Sequence, residues 1–235
     1  MNVLISGGFS GPYEKLVPEF ERATGIKVAT GSGSSQGTGP QTIAAQLERG
    51  VPADVVILSR EGLTELIAAG RIAAGTDVDL ARTPIGVAVR AGAPKPEVRS
   101  VEAFKQVVLQ ARTVAVPSST SGIFLIQEVF PRLGLADKIN VKATPRGAGA
   151  AAMVAAGEAD IALLPVSEIM HAPGVELAGV IAQEIQLNQT FAAAVVAGSK
   201  EVDAAKRLIA FLTSEPASAT IRSGGMEPLR ASDVS

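Results

Sequence analysis

Asn2-Val3-Leu4-Ile5-Ser6-Gly7-Gly8-Phe9-Ser10-Gly11-Pro12-Tyr13 joins a short apolar strand, Val3 to Ser6, to a loop of small residues, Gly7 to Pro12. A helix follows, in which Tyr13, Leu16, Val17 and Phe20 recur at i, i+3, i+4 and i+7, with a kink expected at Pro18. The scheme repeats downstream. Gly25 reads as a helix stop, Ile26 to Thr30 as strand two, and Gly31 to Pro40 as a loop of Gly, Ser and Thr ahead of a helix carrying Ile43, Ala44 and Leu47. Asp54 to Leu58 reads as strand three, followed by a stripe of Leu63, Leu66 and Ile67. Strand, small-residue loop and amphipathic helix in alternation specify an α/β fold with mostly parallel sheets flanked by helices.

A second unit begins near Thr83. Its strand Pro84 to Arg90, the turn Ala91-Gly92-Ala93-Pro94 and a helix with Val101, Phe104, Val107 and Val108 are echoed by Thr190 to Gly198 and a helix with Val202, Ala205, Leu208, Ile209 and Leu212. The echo predicts two equivalent crossing strands. Lobe one is then residues 1–82 plus about 190–235, and lobe two is residues 83–189.

The chain has 235 residues, 47% hydrophobic and 3% aromatic, with 21 basic against 23 acidic residues. Such a composition gives a soluble globular protein and neither the basic excess nor the stacking surface of a nucleic-acid binder. Zero Cys and one His, His171, exclude disulfides, Fe–S clusters, thiolate metal sites and His-rich metal centres, so no metal or cofactor is expected. No stretch approaches the roughly 20 apolar residues that span a bilayer, so no membrane insertion is expected. The N-terminus lacks a basic signal region, which predicts a cytoplasmic protein as written, or a periplasmic one if a signal peptide has been removed.

Four loops share one design: Gly7-Gly8-Phe9-Ser10-Gly11, Ser32 to Gly39 with Ser34, Ser35 and Thr38, Leu58-Ser59-Arg60-Glu61, and Pro117-Ser118-Ser119-Thr120-Ser121-Gly122. Free N–H groups at helix starts, with Gly allowing close approach and Ser or Thr adding donors, make an anion site. Any one such loop is accounted for by ordinary capping and turn chemistry; four together point to a small anionic ligand. Neither a P-loop nor a G-x-G-x-x-G is present, which disfavours a nucleotide. Arg60, Arg82 and Arg146 occupy predicted loop or hinge positions, where guanidinium forks suit carboxylates.

Pro18 to Val28 (PEFERATGIKV) and Ala45 to Leu58 (AQLERGVPADVVIL), with Ser121-Gly122-Ile123-Phe124 and Gly157 to Ala162, resemble the molybdate-binding branch of bacterial periplasmic solute-binding proteins of type II, a group that includes aconitate-isomerase-like members. The resemblance implies a two-lobed clamp with the ligand in the inter-lobe cleft. It also places Gly8 and Pro165 where molybdate receptors carry hydroxyl donors, which implies a carboxylate ligand rather than molybdate. Two functions follow. One is a cofactor-free isomerase that shifts an allylic proton of a di- or tricarboxylate, as cis/trans-aconitate interconversion requires, with Glu168, His171, Tyr13 or an activated Ser as base. The other is a receptor delivering a molybdate-like oxyanion or a carboxylate to an ABC permease, for which the same clamp serves without a base; a cytoplasmic sensor would use it as well.

Overall fold

The computed structural model describes residues 1–229. The chain divides into two compact units, one formed by Met1–Arg82 with the chain from Thr190, the other by Thr83–Gln189. Among the described residues no helix is long and apolar enough to cross a membrane.

In the first unit, β1 (Asn2–Ile5), α1 (Ser10–Thr24), β2 (Ala29–Ser32), α2 (Ile43–Glu48), β3 (Val55–Ser59) and α3 (Arg60–Ala68) alternate as the sequence predicts. β2 and β3 both pair parallel to β1. Helix structure begins inside the first small-residue loop, with a 3₁₀ turn over Gly7–Phe9 that runs straight into α1. Strand two starts at Ala29 rather than Ile26. Gly25 caps α1 in the left-handed region (φ 72°), and the next amides are taken by side chains of the last turn: Ile26 N–H donates to Thr24 Oγ1 and Val28 N–H to Glu21 Oε2. Pairing with β1 begins only after these three residues.

β4 (Val78–Thr83) lacks an apolar run, because Asp79 and Arg82 interrupt it. The second unit follows with β5 (Ile85–Arg90), α4 (Val101–Gln110), β6 (Val114–Pro117) and α5 (Thr120–Phe124). A π-helical stretch, Leu125–Val129, links α5 to α6 (Phe130–Arg132). The widening precedes Pro131, which has no N–H and whose ring cannot sit under a regular i−4 carbonyl. Next come β7 (Val141–Thr144), α7 (Gly147–Ala155), β8 (Ile161–Pro165), α8 (Val166–His171) and β9 (Val175–Val180). β10 (Gln189–Val195), α9 (Val202–Leu212), α10 (Glu215–Ser223) and β11 (Glu227–Pro228) complete the chain.

The two sheets have the orders β11-β4-β10-β3-β1-β2 and β7-β6-β8-β5-β9. Each contains three parallel strands in spatial order second, first, third, and beside the third an antiparallel strand, β10 in one unit and β5 in the other. The echo between Pro84–Arg90 and Thr190–Gly198 is therefore topological: the two segments play the same part in their own sheets. Both faces are covered. Val3, Ile5, Val55 and Ile57 face one core with Phe20 and Leu208, while Leu4, Val56 and Leu58 face another with Ile43 and Leu63. In the second unit Val87, Val116 and Leu163 alternate in the same way with Ala88, Ala115 and Ala162, the latter packing on the Gly- and Ala-rich α7.

The Gly50 to Val55 segment closes the lower end of the first sheet. Asp54 Oδ2 accepts from the Asn2 N–H at 2.7 Å and Oδ1 from the Ser199 hydroxyl at 2.7 Å, tying the start of β1 to the turn after β10. Removing a charged acceptor of two bonds costs about 1–3 kcal/mol. Asp54→Ala should lower the unfolding free energy, read from urea denaturation, by that amount while leaving ligand affinity unchanged; wild-type stability would show that the segment's role is not this staple.

Candidate functional site

In the first unit β2, β1 and β3 lie side by side and parallel, so the loops at their C-terminal ends share one edge of the sheet. Ser34 and Ser35 are buried there. Ser59 N–H donates to Ser35 Oγ at 2.9 Å, and Ser59 Oγ, fully buried, accepts from Gly62 N–H as the cap of α3. The long second loop is pinned by Gln46, whose Nε2 donates to Ser32 O and Gln41 O, and by Gln36 donating to Glu65. Thr38 is exposed at its tip. Ser10 Oγ donates to Ser6 O, and Ser10, Tyr13 and Thr30 border a cavity of about 370 Å³. Phe9 belongs to the core. At Gly8 an added Cβ would lie 1.9 Å from Phe191 Cζ, so the ring of β10 holds the place a side chain would need. Position 8 can offer only backbone.

Two expected groups have other employment in this unit, and a third lies exposed. Arg60 is held by two aspartates: Nε donates to Asp79 Oδ1 at 2.8 Å, Nη1 pairs with Asp77 Oδ2 at 2.8 Å, and Nη2 also contacts Asp79. Its charge is met by two carboxylates, and we drop it as a ligand group. Tyr13 is buried with its hydroxyl 2.7 Å from Thr30 Oγ1; burial pushes its pKa up to about 12, against the partial relief of that hydrogen bond, which removes it as a base near neutrality. Arg82 is exposed near the end of β4, opposite Glu227 of β11.

In the second unit β7, β6 and β8 are likewise adjacent and parallel, and the loops after them meet at one edge. After β6, Ser119 precedes α5, Thr120 and Ser121 are buried, and Gly122 packs so closely on the strand end that a Cβ would fall 1.6 Å from Pro117 O. The neighbouring loops are stitched by Ser118 N–H donating to Thr144 O, and within the second of them Thr144 Oγ1 donates to Arg146 O. Arg146 then caps α7, and Pro165 ends β8 as the cap of α8. Glu168, in the first turn of α8, lays its carboxylate against the first residue of α7: a Cβ on Gly147 would lie 2.1 Å from Oε2 and 2.6 Å from Cδ. His171 ends the same helix and is exposed.

Glu168 and Arg146 form no ion pair within 4.0 Å, and the carboxylate has no hydrogen-bonding donor among the described residues. Arg146 Nε is buried without a partner, as are Ser6 Oγ and Gln189 Oε1. Burial of Glu168 pushes its pKa up to about 7, and the charge of Arg146 opposes the shift only in part. A largely buried carboxyl poised near neutrality beside an uncommitted guanidinium can take a proton from carbon while an adjacent carboxylate is held. Gly147 is the member of this group that a search for hydroxyl-bearing loops misses; Thr144-Pro145-Arg146-Gly147 has the strand-to-helix design with an arginine in place of the serines.

A family model described as bacterial extracellular solute-binding protein matches residues 1–227. The chain is 37% identical over 232 residues to an aconitate isomerase of a Pseudomonas species, covering 98% of this chain and 88% of that enzyme. Its fold matches the periplasmic molybdate-binding protein of Azotobacter vinelandii, with TM-score 0.77, 22% identity and coverage of 96% and 98% of the two chains. The sulfate-binding protein of Mycobacterium tuberculosis also matches, with TM-score 0.74, 20% identity and coverage of 98% and 87%.

Tyr13 is the single tyrosine, so its ionisation can be followed by ultraviolet absorbance alone. In the folded chain, with folding monitored by circular dichroism, no phenolate should appear around the ordinary value of 10 and the midpoint should lie near 12. A midpoint at 10 in folded protein would return Tyr13 to the list of bases.

Proposed function

The chain belongs to the bacterial extracellular solute-binding protein family, and from that premise we propose that it binds an unsaturated tricarboxylate of the aconitate type and moves its double bond by an allylic proton shift. The single observation that carries the catalytic half is Glu168, largely buried, without an ion pair and poised near 7 beside Arg146. The relative that is an aconitate isomerase supports the substrate class.

The step balances without a redox or metal partner. The Glu168 carboxylate takes a proton from the methylene of the substrate; that C–H bond breaks and its electron pair forms a new C=C with the central carbon. The former double bond's electrons pass to the former vinyl carbon, with the intervening allylic anion spread into the carboxylates. Glu168, now protonated, returns a proton to that carbon. The geometry in which the new double bond forms decides between cis and trans. Arg146 supplies a charged fork to one substrate carboxylate and to the negative charge that develops on it. Ser119, Ser121 and Gly122, from the neighbouring loop of the same unit, are the further donors we assign to the ligand. His171 and Arg82, both exposed, are not assigned a step.

The receptor reading uses the same donors and needs no base. The family description and the fold shared with molybdate- and sulfate-binding proteins favour it; the seating of Glu168 favours the isomerase.

Glu168→Gln should lower turnover of cis-aconitate by about 10²- to 10⁴-fold, read by chromatography of the trans isomer, while the thermal shift on adding aconitate persists. In the parent protein the rate should fall as pH drops through about 7, because the base must be ionised. The same substitution carries a stability signature. A carboxyl whose folded value is raised from 4.5 to about 7 contributes stability that is fully present below 4.5 and lost as pH rises through 7. Glu168→Gln should therefore raise the melting temperature more at pH 8 than at pH 4. Tight binding with no turnover by the parent protein would remove the enzyme and leave the receptor.

A further inference from the structure

We infer that Gly147 is a positioning residue: its missing side chain is the space in which the Glu168 carboxylate is seated, against the first turn of α7 and facing Arg146. The constraint is steric. A Cβ at 147 would stand 2.1 Å from Oε2, 2.9 Å from Oε1 and 2.6 Å from Cδ, so all three atoms of the carboxyl group lie over this one Cα. No L side chain beyond hydrogen is compatible with that placement. Nothing in the backbone demands glycine here, since Gly147 is not among the residues with positive φ, and the opening turn of a helix ordinarily favours other residues over glycine. The glycine is thus accounted for by its neighbour's carboxylate rather than by its own conformation.

The surroundings make the seat consequential. α8 packs on α7, β5, β8 and β9. Arg90 ends β5, Glu176 lies in β9, β8 and α7 carry no charged side chain, and His171 leaves the end of α8 into solvent. Arg146 alone exerts a charge on the Glu168 carboxyl, and burial is the larger influence. A methyl group at 147 would meet the far end of a flexible side chain, so the carboxylate would swing toward water while the fold is kept. What changes is the environment of the acid, not the core. The consequence for catalysis rests on the proposed isomerase reading; the seating itself does not.

The test separates the two. Protein labelled with ¹³C at the glutamate carboxyl carbon, with Glu168 assigned by its absence in Glu168→Gln, is titrated without any ligand. The parent should show a midpoint near 7, and Gly147→Ala should move it toward the ordinary 4.5. The turnover of cis-aconitate should fall at least tenfold in the same variant, and its acid limb should move to lower pH. Glu168→Asp gives the control, because a carboxylate one methylene shorter clears the added methyl: in that background Gly147→Ala should leave the titration where it was. An unchanged midpoint in Gly147→Ala, or an equal displacement in the Glu168→Asp background, overturns the inference. If Gly147→Ala alone does not fold, folding of the double variant supports the contact and failure of both overturns it. A shifted titration in a protein that never turns over aconitate would leave the seat standing and sink the isomerase.

Discussion

Glu168 is a carboxyl that the fold withdraws from water without supplying a hydrogen-bond donor, and the chemistry we assign to this protein depends on that imbalance. A buried carboxylate given a bidentate arginine would be fixed in its ionised form, a weak base. One buried with no cation would stay protonated well into the alkaline range. Here burial is the larger force, the Arg146 charge a partial counterweight at more than ion-pair distance, and the outcome is a group that changes charge near 7. Arg60 shows the contrast within the same chain. With Asp77 and Asp79 on its guanidinium, it is a structural tie between α3 and the start of β4, its charge already met by two carboxylates.

The seat exists because of the sheet order. Three parallel strands arranged second, first, third bring three strand-to-helix loops to one edge, and the antiparallel strand beside them leaves that edge uninterrupted. In the first unit the three loops are rich in Ser and Gly, and those after β2 and β3 are tied to each other by Ser59 N–H on Ser35 Oγ. In the second, only the loop after β6 has that character; the loops after β7 and β8 supply a cation and a carboxyl instead. The same topology thus presents neutral donors in one unit and acid–base groups in the other. Phe191, lying over Gly8, removes any side-chain donor at that one position and leaves only its backbone.

Much of this was legible in the sequence. Apolar strands that alternate between two cores and helices at 3.6-residue spacing are local signals, and they place β1, α1, β3 and α9 almost to the residue. β2 was misplaced because Glu21 and Thr24 take the amides that a strand would have used, a side-chain competition that periodicity does not report. β4 gives no periodic signal because Asp79 and Arg82 interrupt it, and Asp79 serves Arg60. For the proposed site, composition singles out the hydroxyl loops, and carboxyl chemistry singles out Glu168 as one of several candidate bases. Tyr13 and Arg60 could not be judged from sequence, since what disqualifies them is a hydrogen bond to Thr30 and ion pairs to residues 17 and 19 positions away. Gly147 carried no signal beyond being a glycine at a helix start; its significance is a distance.

The claim that one buried carboxyl carries a proton from one carbon to another can be tested on the product itself. Purified protein and cis-aconitate in deuterium oxide, followed by proton magnetic resonance, should yield trans-aconitate with deuterium entering at the methylene carbon, because the Glu168 acid exchanges with solvent between abstraction and return. Recovery of unlabelled cis-aconitate, with its binding to the protein verified in the same sample, would contradict the account.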